Sequence, residues 1–438
     1  MLSRRGLAAH GTVFLATRGT NAVLALAQIA LVSHFYSTSA SATFFVFWTV
    51  VWAASVLLRF GTDQIIPKHV ALASRDEDLS YLGGFRAVLR WTGPVAVLAS
   101  IPVLLVTLPS TTFARALEVA PALLIAALAW AAAYVAMGVA KGYGQVSLAG
   151  IVQGTLVPGG FTLAAPVAAI IDRSWVTLAY VSALGVVVAT AVSLALVARA
   201  VGHKPVEAAF RVTERPISEP DRIPTGVLGA IIEIVLWLPL WLASAVGLSG
   251  SEVAGLYAAL RVSGTFSWAF TAVVSVSVPM MARALAEADY HALSRLLWRT
   301  AVAGLLITAP IAVLGIAFAP EILRLLDPTY AAYASTLVIL IVARLFDAAT
   351  GPLSECLVLG GRARWEMANQ LLGLVVIGAV GLALEPSVGI EAFAWGTAVA
   401  LTVENLVRVE QLRRLFRTHW RPSAETIELA SAREPQAL

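Results

Sequence analysis

One cysteine, Cys356, is all the chain has, so no internal disulfide can form, and its apolar neighbours assign it to packing. Charge is scarce too: 13% of the 438 residues are Asp, Glu, Lys or Arg, against 59% hydrophobic, with a mean hydropathy of +0.83. That excludes a soluble globule, whose apolar share is about half and whose charged share is about a quarter. A net charge of +4 is too small to point to nucleic acid. The six histidines, His10, His34, His69, His203, His291 and His419, form no metal-ligand spacing, so no metal site is expected.

What the chain does have is long apolar runs. Spans of about 20 apolar residues, the length that crosses the hydrocarbon, fall at 11–35, 42–66, 84–108, 117–140, 146–171, 175–198, 225–248, 253–282, 299–319, 333–359, 366–384 and 389–410. The start, "MLSRRGLAAHGTVFLATRG", has the basic opening of a signal peptide. Its apolar run continues to Phe35 without a small-residue cleavage site, so it reads as a retained span. An even number of spans puts both termini on one side. Nineteen loop Lys and Arg lie on that side and three, Arg115, Arg173 and Arg324, on the other, which places both termini in the cytoplasm.

The expected fold is an all-α polytopic membrane protein of about twelve transmembrane helices in two pseudo-symmetric six-helix bundles around a central cavity. The longest internal polar segment, "GHKPVEAAFRVTERPISEPDRIPTG", separates the halves: a bundle over 1–200, a cytoplasmic linker over 201–224, a second bundle over 225–412 and a cytoplasmic tail over 413–438, polar and expected to be disordered after Trp420. The halves also match each other. A shift of 212 residues aligns "ATFF" at Ala42 with "AGLY" at Ala254 and carries Pro67 onto Pro279, each read as ending a long helix. A shift of 215 aligns "AYVSA" at Ala179 with "AWGTA" at Ala394 and brings Arg199 onto Arg414.

The stretch "EVAGLYAALRVSGTFSWAFTAVVSVSVPMMARALAEADYHALSRLL", Glu252 to Leu297, resembles the eighth-helix region of polysaccharide-type flippases in the multidrug/oligosaccharidyl-lipid/polysaccharide (MOP) exporter superfamily. Gly255, Tyr257, Ala259, Arg261, Pro279 and Asp289 fit that pattern. "FYSTSASATFFVFWTVVWAASVLLRFGTDQIIPKHVA" is similar to the family's second helix. "LVLGGRARWEMANQLLGLVV" is similar to its tenth-to-eleventh connection, with Gly361, Arg362 and Asn369. The resemblance implies alternating access by two bundles and a cargo of oligosaccharide on a polyprenyl pyrophosphate. It further implies the bacterial cytoplasmic membrane, and work beside a polysaccharide polymerase and glycosyltransferases in cell-surface polysaccharide assembly.

Charges inside the bilayer cost several kcal/mol and must pair, reach water or bind something. Arg18 has no acid at helical spacing; it either snorkels to the inner headgroups or lines a cavity. Arg261 likewise has no acid three or four residues away, and the resemblance favours the cavity. Arg59 and Asp63 stand four apart on one helical face, where they can neutralise each other. Alternatively, Asp63 orients Arg59 so that its guanidinium fork grips a pyrophosphate. Arg344 and Asp347, three apart, repeat that choice. The substrate-binding candidates are therefore Arg18, Arg59, Arg261 and Arg344, with Asp63 and Asp347 orienting. Glu233, with no base within a turn, is the candidate for coupling to a proton or sodium ion, and Pro239, between Trp237 and Trp241, for a hinge. Glu404 and Arg408, four apart, read as a structural pair.

Three function classes compete. A flippase for polyprenyl-pyrophosphate-linked oligosaccharide leads. A cation-coupled multidrug exporter of the same fold is second; the first span carries Arg18 and no acid, which disfavours a cation-binding cavity there. A membrane enzyme comes last, because the outer loops are short and no nucleophile or carboxylate pair has a convincing partner.

Overall fold

The computed structural model describes residues 4–72, 84–108, 112–210 and 219–417, and every regular element among them is helical. The helices are α1 (Arg4–Phe35), α2 (Thr38–Arg59), α3 (Thr62–Leu72), α4 (Phe85–Thr107), α5 (Phe113–Gly142), α6 (Val146–Ile151), α7 (Val157–Thr162), α8 (Ala164–Ile171) and α9 (Trp175–Val201). After them come α10 (His203–Phe210), α11 (Glu219–Ala245), α12 (Gly250–Ala286), α13 (Tyr290–Ala317), α14 (Ala319–Leu326), α15 (Ala334–Thr350), α16 (Leu353–Leu359), α17 (Ala363–Val388) and α18 (Glu391–Arg417). Among the described residues nine helical segments are long and apolar enough to cross a membrane. The remaining expected spans lie in α1, α12 and α18, helices of 32, 37 and 27 residues. The twelve expected spans are thus all helical, and the fold is the all-α polytopic one.

Three of the spans differ from uninterrupted helices. The second breaks after Arg59, where Phe60 (φ 38°) and Gly61 (φ 76°) take left-handed backbone and α3 begins. Arg59 and Asp63 therefore do not share one continuous helix, and Pro67 sits inside α3 instead of ending a long helix. The tenth breaks at Gly351 (φ 85°) and Pro352, separating α15 from α16. The fifth carries a π-helical turn at Val152–Leu156 between α6 and α7. The expected linker also contains structure: α10 packs against α9, α5 and α4, burying Pro205, Val206, Ala208 and Ala209. Residues 73–83 and 211–218 and the tail beyond Arg417 lie outside the described residues, α18 itself running five residues into the expected tail.

Packing divides the chain into two units: Met1–Ala258 with Leu325–Pro328, and Ala259–Arg324 with Thr329–Leu438. In the first unit α11 packs against α2, α3 and α4. The core there is aromatic. α2 is apolar on every side and buried from Phe44 to Val51, as an interior helix must be. Trp48 lies 4.8 Å from Phe161 and 5.6 Å from Trp130, while Phe45 stacks on Tyr257 at 4.3 Å. Around the buried Pro239 inside α11, Trp237 stacks on Tyr257 at 5.9 Å, and Trp241 Nε1 donates to Thr49 Oγ1 at 2.8 Å. Trp241→Phe keeps the ring and loses that bond; thermal unfolding in detergent should report a loss of about 1 kcal/mol.

In the second unit α17 and α18 pack along their lengths, with α15 and α16 against α18 and α13 against α15. Cys356 is fully buried with Met281, Leu285, Leu293, Leu353, Leu357 and Leu412.

Candidate functional site

The break between α2 and α3 builds the first cluster of charges. Phe60 N–H caps α2 by donating to the Val56 carbonyl at 2.9 Å, and the reversed backbone at Phe60 and Gly61 starts α3 afresh at Thr62. Asp63 consequently sits in the first turn of α3, where the helix dipole favours a carboxylate. Glycines hold the joint closed. A Cβ on Gly61 would lie 3.0 Å from the Gly226 amide nitrogen in α11, and one on Gly138 in α5 would lie 2.7 Å from the Asp63 carbonyl oxygen.

Arg59 Nε stands 3.5 Å from Asp63 Oδ1, with both side chains more than nine-tenths buried. That is an ion pair but not a close charge-assisted hydrogen bond, which would be about 2.8 Å. The guanidinium lies over the Tyr134 ring at 4.2 Å, and its buried Nη1 has no hydrogen-bond partner. Asp63 therefore orients Arg59 without saturating its five donors.

Lys141 and Arg18 complete the cluster. Lys141, in the last turn of α5 and half-buried, lies within electrostatic reach of Asp63, Arg18 and Arg59. Arg18, in α1, interacts with Tyr134. Its position follows from its neighbour: Thr17 is buried against α6 and the π-helical turn, and a Cβ on Gly150 would stand 2.8 Å from Thr17 Oγ1. π-Helical turns of this kind recur at functional sites. Arg18, Arg59 and Lys141 thus gather with Asp63 in the first unit. Like charges held close together repel, so the cluster favours an anion. Lys141 was legible in sequence only as a loop cation after the fourth span.

Arg261 and Arg344 belong to the second unit and are half-buried in α12 and α15. Asp347 does not pair with Arg344; its Oδ1 accepts from Asn405 Nδ2 at 2.9 Å. Asn405 lies on α18, which packs against α15, so the carboxylate finds its partner on another helix. Glu233 is half-buried in α11, in the first unit. The Glu404–Arg408 pair forms at 2.8 Å, and α17 adds a partner that sequence spacing could not supply, Glu366 at 2.6 Å from Arg408 Nη2.

Residues 233–384 match the MatE family model. No curated protein sequence matches the chain. Among solved structures, a MATE protein in complex with MaL6 superposes with a TM-score of 0.69 at 16% identity, over 93% of this chain and 95% of that one. A MOP superfamily transporter from Pyrococcus furiosus, described as having a binding pocket of reversed polarity, gives 0.68 at 16% identity over 93% and 95%. The lipid II flippase MurJ in an inward closed conformation gives 0.69 at 10% identity over 96% and 90%. The chain therefore has the fold of the MOP superfamily transporters and carries a MatE family match in residues 233–384.

Proposed function

We propose that the chain is a flippase that moves polyprenyl-pyrophosphate-linked oligosaccharide across a bacterial cytoplasmic membrane by alternating access, with both termini in the cytoplasm. The observation that carries this reading is the gathering of Arg18, Arg59 and Lys141 with Asp63, with Arg59 Nη1 buried and unpartnered. A pyrophosphate offers oxygens on two phosphorus centres, which suits several spaced cations better than one tight pocket. Asp63 keeps the guanidinium in place when the cargo has left, so the site survives both halves of the cycle. Arg261 and Arg344 remain proposed contacts to the headgroup, Glu233 a proposed coupling group and Pro239 a proposed joint. The MurJ likeness is in keeping with a lipid-linked cargo.

Arg59→Ala is expected to lower flipping of a fluorescent polyprenyl-pyrophosphate glycan in liposomes at least about tenfold, since a charge-assisted bond contributes on the order of 1.5–3 kcal/mol. Lys141→Ala, removing a half-buried cation at the edge of the cluster, should have the smaller effect. Wild-type flipping by both variants would overturn the reading.

The second reading, a multidrug exporter, is favoured by the MATE likenesses and the MatE match. Cells lacking the gene discriminate the two: accumulation of lipid-linked sugar on the cytoplasmic face supports the flippase, whereas increased sensitivity to cationic drugs with normal surface glycan supports the exporter.

A further inference from the structure

Two helices open with a surface whose charge nothing nearby neutralises. α4 carries Arg86 and Arg90 and no Asp or Glu along its whole length; α13 carries Arg295 and Arg299, beside His291, and again no acid. In each helix the two arginines stand four apart on one face, exposed, where like charges repel. A shift of 209 residues carries one pair onto the other, so the feature occurs once in each unit.

Three exposed arginines elsewhere bring an acid with them. Arg115 pairs with Glu118 at 2.9 Å, Arg283 with Glu287 at 3.1 Å and Arg414 with Glu410 at 2.8 Å. Among the described residues no acid lies within ion-pair distance of Arg86, Arg90, Arg295 or Arg299. Asp289, just before α13, is taken up in capping it, accepting from the Ala292 N–H at 2.8 Å.

An indole stands beside each pair. Trp91 follows Arg90 and is 83% exposed; Trp298 precedes Arg299 and is 70% exposed. Rings this open in a membrane-spanning chain belong at the headgroup boundary, where an amphipathic indole packs. Further along, the outward face is apolar. Leu98 follows Trp91 by two helical turns, and Leu306 and Val313 follow Arg299 at the same interval, all of them largely exposed. Each patch thus joins paired cations, an indole at their level and an apolar strip beyond. A soluble anion matches only the cations, and a hydrocarbon only the strip. A phospholipid matches all three, with its phosphodiester oxygens on the guanidinium forks. A zwitterionic headgroup brings an ammonium that competes with the guanidiniums, so the fit is to a lipid of net negative charge.

We propose that Arg86, Arg90 and Trp91 in the first unit, and Arg295, Trp298 and Arg299 in the second, each bind the headgroup of one anionic phospholipid. Both sites are separate from the cluster of Arg18, Arg59 and Lys141. They require only that the chain spans a membrane, and stand whether or not the cargo is a lipid-linked sugar.

Native mass spectrometry of the purified full chain, titrated with phosphatidylglycerol or with phosphatidylcholine of the same acyl chains, tests this. Two phosphatidylglycerols per chain should bind in preference to phosphatidylcholine. Arg86→Gln with Arg90→Gln should weaken one of the two about tenfold or more, the scale set by two cations at a membrane surface, and Arg295→Gln with Arg299→Gln the other. Arg413→Gln with Arg417→Gln removes the same charge at the same spacing from the end of α18, where Glu410 interacts with both arginines, and should retain both lipids. Equal losses in all three double variants would mean diffuse attraction to a basic surface and overturn the proposal, as would a wild type that holds the two lipids equally. Displacement of phosphatidylglycerol from both patches by an equimolar polyprenyl pyrophosphate would overturn it in favour of a cargo-loading surface. Should an arginine pair be needed for folding, Trp91→Ala and Trp298→Ala keep every charge and must still weaken retention; unchanged retention in both overturns it equally.

Discussion

Arg408→Met lowers the stability of the second unit by about 3–5 kcal/mol, the range for removing one partner from a buried ion pair. The size follows from what is left behind. Glu366 would keep only the amide donors of Gln370 and Asn369, at 3.0 and 3.5 Å, and Glu404 would lose the one donor it has. Both lie in a region with no access to water. Thermal unfolding in detergent measures the loss. The triple replacement Arg408→Met, Glu366→Met, Glu404→Leu should recover most of it, because similar apolar volume in place of a buried ion network is often neutral or better. A single substitution that leaves the unfolding midpoint unchanged would contradict this account.

Gly138→Val should abolish most flipping without touching a charge. Its Cβ would lie 2.7 Å from the Asp63 carbonyl and 3.2 Å from Asp63 Cα, contacts with backbone that no rotamer change relieves. The first turn of α3 must move, carrying Asp63 off Arg59, and the overpacking itself costs about 1–3 kcal/mol. Gly378→Ala provides the control. Nothing lies within 4 Å of its Cβ position, so it should be neutral, or stabilising by up to about 1 kcal/mol through helix propensity. Flipping and unfolding measured on both variants separate a misplaced ion pair from a general intolerance of glycine replacement. Equal flipping by the two would contradict the packing argument.

The extent to which the sequence disclosed this site differs from residue to residue. Arg59 and Asp63 are visible because charges are conspicuous in an apolar run, and their separation by four positions already suggests contact. Their contact is real, but it is made across a helix break, not along a helix. The break itself was hidden: Phe60 is a bulky residue in left-handed backbone, a conformation that propensity disfavours and that packing of Gly226 on its ring imposes. Arg344 and Asp347 show the opposite outcome: correct spacing produced no pair, and the carboxylate accepts from Asn405 on another helix. Lys141 was visible only as a loop cation and Glu366 carried no signal, since each acquires its meaning from a partner far away in the chain.

The hydrophobic runs by themselves determined the all-helical class, the twelve spans and which charges are out of place in lipid, because a bilayer demands about 20 apolar residues per crossing and internal hydrogen bonds for every peptide. Those demands act on each segment alone, so one dimension of sequence contains them. Where helices stop, bend and touch was decided only in three dimensions, by glycine-lined crossings at Gly61, Gly138 and Gly154 and by polar groups such as Asn405 and Glu366 that find partners on other helices. Electrostatics between helices falls off with distance in space and not with separation along the chain, which is why the cationic cluster and the buried Arg408 network appear only once the helices are packed.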